Sequence, residues 1–96
     1  MSAAPCRPAR HPAIDTAFVV DRVVLFDERT AQVHEMNPSA SALWLLLDGE
    51  QTVDEIAGQL GAVFGAAPGV VRSSVQGMIA EFARLGLIET DGFARC

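Results

Sequence analysis

The apolar positions of this chain change period near its middle. Up to residue 36 they fall in short β-branched or aromatic runs, Phe18-Val19-Val20 and Val23-Val24-Leu25-Phe26, parted by Asp21-Arg22. The polar stretch Asp27-Glu28-Arg29-Thr30 follows, then the loosely alternating Ala31-Gln32-Val33-His34-Glu35-Met36. Such runs around turn residues predict strands, and the second and third form a hairpin with a four-residue loop. Whether 18–20 is a strand of its own is left open by the pattern.

From Asn37 onward the period is helical. Asn37-Pro38 sets an N-cap residue before a proline at the first helical position, and Ala40, Leu43, Trp44 and Leu47 share one face up to Asp48-Gly49. Thr52 and Glu55 stand at the spacing of a capping box, ahead of Val53, Ile56, Ala57, Leu60, Val63 and Phe64. After the break at 65–69, residues 70–85 carry the stripe Val71, Val75, Met78, Ile79, Phe82 and Leu85, which Gly86 ends. The predicted fold is α+β: a short antiparallel sheet of two to three strands, then three helices. Residues 1–13, interrupted by Pro5, Pro8 and Pro12, read as a flexible Pro/Ala-rich tail, and 14–96 as a single domain.

Composition narrows the function. The 96 residues include 12 acids against 7 bases, a net charge of −5, and the bases are arginines scattered along the chain. That balance weighs against nucleic acid and against an anionic membrane as partners, since both need clustered positive charge. No apolar run is long enough to span a bilayer, no secretory signal is legible, and the expected location is the cytoplasm. Cys6 and Cys96 lack a CxxC partner, and His11 and His34 stand far apart, so neither a metal nor another cofactor is expected. No hydrolase, phosphate-loop or dinucleotide motif occurs. Asp54-Glu55 suits a helix N-terminus better than acid–base chemistry, and Trp44 lies on a core stripe. The chain is not expected to be an enzyme.

Two features stand out. The strand 31–36 ends the sheet in chain order, and it has little to blunt an open edge. The last helix carries Ser73, Ser74, Gly77 and Ala80 beside its core stripe, small enough for another backbone to approach. An edge and such a helix face together suit an extended peptide.

Here the sequence resembles a known family. Met36-Asn37, the small residues Ser39-Ala40-Ser41-Ala42, Leu47-Asp48-Gly49, Thr52-Val53-Asp54-Glu55-Ile56 and Leu85-Gly86-Leu87-Ile88 follow in the order seen in PqqD-like proteins, also called RiPP recognition elements. The resemblance covers about residues 18–89; it departs in the polar Val-His-Glu-Met strand and the proline-rich start. It implies a three-stranded sheet on a winged-helix-like, three-helix bundle. It also implies a non-catalytic peptide chaperone that binds the leader of a ribosomally made precursor by strand addition. The leader is then presented to a radical-SAM enzyme, cyclase or leader protease of natural-product biosynthesis. Mapped onto this chain, the peptide-binding strand is Ala31, Gln32, Val33, His34, Glu35 and Met36. Val33, Val75, Ile79 and Phe82 would line the site, with Arg72 and Gln76 at its rim. A proline at His34 would take a donor from the edge. The competing readings are a winged-helix DNA-binding regulator and a structural docking subunit. Either a monomer or a strand-swapped dimer is compatible with the sequence.

Overall fold

The computed structural model describes residues 7–89. Three strands, β1 (Ile14–Val19), β2 (Arg22–Asp27) and β3 (Gln32–Glu35), form an antiparallel meander in the order β1-β2-β3. Three helices follow: α1 (Pro38–Leu45), α2 (Val53–Phe64) and α3 (Pro68–Arg84).

The first strand begins earlier than its apolar run suggests, because Ile14 anchors it in the core. Its far end is a two-residue turn, Val20-Asp21, joining the pair Val19 and Arg22. Val20 sits there at φ 59°, fully exposed, in the left-handed region where a β-branched residue is strained. The β2–β3 loop is four residues long but falls one position later than expected, over 28–31. Ala31 therefore belongs to the turn, at φ 59°, and donates to the carbonyl of Asp27 at 2.8 Å.

The helix starts follow the sequence signals closely. Asn37 caps α1 by accepting from the Ala40 backbone N–H, and Thr52 and Glu55 form both halves of the capping box on α2. Helix α1 stops at Leu45, short of Leu47, and α3 starts at Pro68, where a ring without an N–H is at home in the first turn.

The core lies between one sheet face and the helices. Val23 and Leu25 of β2 meet Leu43, Trp44 and Leu47, Ile56 and Leu60 of α2, and Val71, Val75, Ile79 and Phe82 of α3. Trp44 is fully buried; its indole N–H donates to Thr16 Oγ1 at 2.9 Å, and its ring stands edge-on to Phe82 at 5.8 Å. Val63 and Phe64, although in register with the α2 stripe, are exposed, because the helix runs past the end of the core before it turns.

Residues 8–11, which the sequence groups with a tail, are hydrogen-bonded into the domain. Gly49 N donates to Pro8 O, Arg10 N to Leu47 O, His11 N to Leu87 O and Glu89 N to Ala9 O. This strap joins the α1–α2 loop to the segment after α3. Cys6, Cys96 and the first six residues lie outside the described part of the chain.

One buried hydroxyl completes the sheet. Met36 N donates to Val23 O at 2.9 Å, but Val23 N–H donates to Ser41 Oγ at 2.8 Å, and Ser41 Oγ reaches Met36 O at 3.4 Å. The serine of α1 thus stands in for the missing rung. Ser41→Ala leaves that N–H without an acceptor, and the expected loss is about 1–3 kcal/mol in a urea titration. A variant as stable as the parent would show that Val23 finds another partner.

Candidate functional site

Among the described residues, the order β1-β2-β3 leaves β3 with one side unpaired. Which of its groups face outward follows from the register. Val24 stands opposite Glu35, so Val23 stands opposite Met36, and the Met36-to-Val23 bond marks a hydrogen-bonded pair. Bonded and non-bonded pairs alternate along an antiparallel ladder. His34 and Gln32 therefore direct their backbone groups towards β2, whereas Val33 and Glu35 direct theirs to the open side. The edge offers two N–H and two C=O groups.

That alternation corrects two expectations. His34 belongs to the inner ladder, so a proline there breaks β2–β3 pairing and does not remove an outward donor. Met36 lies past the strand and is buried, while Ala31 spends its N–H within the turn.

Side chains alternate as well. Val33 and Glu35 point to the face away from the helices, in line with Phe26 and Val24, and among the described residues no helix covers them. Val33 is 64 % exposed and Phe26 39 %. His34, opposite buried Leu25, is half-buried on the helix side.

Both ends of the strand are pinned. At its start, buried Asp27 accepts from the Arg29 backbone N–H and from its Nε and Nη2, and Arg29 also donates to the carbonyl of Gly86 just after α3. The Arg29 guanidinium, more than the neighbouring backbone donors, holds the Asp27 carboxyl below its ordinary range, against the cost of burial. Such a carboxylate stabilises the fold at neutral pH and ceases to do so as pH falls through its lowered value. At the other end stands Ser41. A second ionic group lies on the outer face, where Arg22 reaches Glu35 at 2.7 Å and Asp21 at 3.3 Å.

The third helix corrects the expected lining. Val75, Ile79 and Phe82 are 0, 3 and 3 % exposed and belong to the core, turned inward by the stripe that identified them. Arg72 pairs with Asp54 of α2 at 3.0 Å, so its flank, shared by Gln76 four residues on, faces α2. The flank away from α2 carries Ser74, Met78, Glu81 and Leu85; Met78 and Leu85 are half-buried against the core, and Ser74 and Glu81 are exposed. Sequence reasoning missed this row, although its spacing of 4, 3 and 4 is legible. Arg84 is bound by Glu81, whose carboxyl it holds low, so both arginines of α3 are already paired.

Among the described residues, no three His, Cys, Asp or Glu side chains group to hold a metal, and no helix is long and apolar enough to cross a membrane.

Comparisons with known proteins agree on the architecture. The fold superposes on TbiB1 in complex with the TbiA(beta) leader peptide at TM-score 0.78, with 22 % identity over 84 % of this chain and 94 % of that one. It superposes on lasso peptide synthetase B1 complexed with the leader peptide at 0.78, with 15 % identity over 88 % and 99 %. The solution structure of the PqqD part of Methylobacterium extorquens PqqCD, described as a stand-alone RiPP recognition element, matches at 0.72, with 24 % identity over 90 % and 95 %. No curated protein matches the chain in sequence. The family model for coenzyme PQQ synthesis protein D matches residues 22–88, more than half of the chain, and the protein belongs to the PqqD family.

Proposed function

We propose that this protein is a non-catalytic recognition module that binds the leader segment of a ribosomally made precursor peptide as a fourth strand on β3. The observation that carries the reading is the open edge, with the N–H and C=O groups of Val33 and Glu35 turned outward between two pinned ends. The likeness of the fold to two proteins solved with leader peptides supports it. The inner side chains of the peptide lie along Met78 and Leu85 of α3, and the outer ones beside Val33 and Phe26. Of the residues expected from sequence, Val33, His34 and Glu35 stay in the site, while Arg72 and Gln76 belong with α2.

The energetics require both parts. Four backbone hydrogen bonds at about 1 kcal/mol net each are outweighed by ordering a five- or six-residue segment at roughly 1–2 kcal/mol per residue. Micromolar affinity, about −8 kcal/mol, therefore needs apolar side chains buried at roughly 1.5–3 kcal/mol each. The bound leader is held for an enzyme acting on the rest of the precursor, of the radical-SAM, cyclase or leader-protease kind.

The test is capture of the source organism's small peptides on the immobilised protein, read by mass spectrometry. Enrichment of one genetically encoded peptide through its N-terminal segment is expected. Failure with folded protein, and with that peptide shown to be present in the extract, would overturn the reading.

A further inference from the structure

The geometry of β3 also specifies what kind of peptide fits, given the strand-addition reading on which this inference rests. In an antiparallel ladder, residues directly opposite each other carry their side chains on the same face, with Cβ atoms about 5 Å apart. A peptide residue opposite Glu35 thus sets its side chain beside the Glu35 carboxylate on the outer face. The residue opposite Val33 sets its side chain on Val33, next to Phe26, which faces Val33 across β2 and β3.

The two positions differ in chemistry. Val33 and Phe26 together present an exposed apolar ledge. At Glu35, one guanidinium serves two carboxylates: Arg22 binds both Asp21 and Glu35, which leaves a net negative charge at that corner. The Glu35 and Asp21 side chains are 63 and 61 % exposed, so both stay within reach of a newcomer. Of the other acids, Glu28 lies exposed in the β2–β3 turn, and Glu81, on the flank of α3 away from α2, is matched by Arg84. The chain as a whole carries −5, so the long-range field acts in the same direction.

We infer that the peptide recognised here carries Lys or Arg opposite Glu35 and, two residues later in its own sequence, a β-branched or aromatic residue opposite Val33. The order follows from antiparallel addition: a strand running against β3 meets Glu35 before Val33. Antiparallel addition continues the meander already present and is the slightly more stable pairing. The residue between the two faces the helices at the level of His34. An opposite-charge cross-strand pair is worth up to about fivefold in affinity at an exposed site, enough to bias selection among peptides.

The experiment selects a random-sequence peptide library displayed on phage against the immobilised full chain, its Glu35→Arg and Glu35→Gln variants, and Val33→Pro, each checked for folding by circular dichroism. The parent is expected to enrich a basic residue two places before an apolar one. With Glu35→Gln the basic preference is expected to fade, and with Glu35→Arg to turn to Asp or Glu at the same place. If the selected sequences are the same for the parent and both Glu35 variants, yet are lost with Val33→Pro, the charge inference is overturned and strand addition stands. If an apolar residue precedes the basic one, the antiparallel orientation is overturned. If folded Val33→Pro selects the parent's sequences, or the parent selects none, strand addition fails and this inference with it.

Discussion

Proline in place of Val33 is expected to leave the domain folded and to cut peptide affinity at least thirtyfold, while proline at His34 next door damages the fold itself. The contrast comes from ladder parity. The Val33 N–H points to the open side and makes no bond within the sheet, so a proline there costs the free protein little; edge strands tolerate it in this setting. In the complex the same change removes a donor, leaves a peptide carbonyl unpaired and brings the ring against the incoming backbone. An orphaned group costs about 1–3 kcal/mol beyond the lost bond. Proline at His34 removes a rung between β2 and β3, with the loss appearing in stability. Melting curves and fluorescence anisotropy with a captured peptide separate the two effects. Unchanged affinity in folded Val33→Pro would show that the peptide does not pair with this edge.

The largest expected change in stability follows from Trp44→Ala. Trp44 is fully buried, stands edge-on to Phe82 of α3 and donates to Thr16 of β1, so one side chain links sheet, first helix and last helix. Truncating a buried tryptophan costs about 3–5 kcal/mol, from lost burial and the cavity left behind. Domains of this size are stable by only about 5–15 kcal/mol, so a substantial fraction of the stability is removed. Urea denaturation should show the midpoint falling with little change in slope. A loss under about 1 kcal/mol would mean that the neighbours collapse into the space, which the spread of this residue over three elements opposes.

Much of the fold was legible because its signals are local. Asn37-Pro38 and Thr52 with Glu55 announce helix starts through bonds made within a few residues, and the structure has those bonds. The open edge at β3 could be anticipated from chain order alone. What the sequence obscured depends on distant partners. A stripe such as Val75, Ile79 and Phe82 says that a helix face is buried without saying against what, so core residues read as a binding lining. Arg72 read as a rim contact because its partner, Asp54, lies on another helix. The one-residue offset of the β2–β3 loop placed Ala31 in the strand. The strap at 8–11 gave no periodic signal, because it is held by backbone bonds whose partners lie far along the chain.

That strap has a kinetic consequence. Its bonds from Pro8 to Gly49 and from Ala9 to Glu89 join points separated by about half, and by nearly all, of the described chain. Closing such loops costs entropy before any contact rewards it, so these bonds form after the sheet and helices have met. Interactions absent from the folding transition state leave the rate of folding alone and slow unfolding instead. The strap therefore sets how long a folded molecule lasts more than how fast it forms.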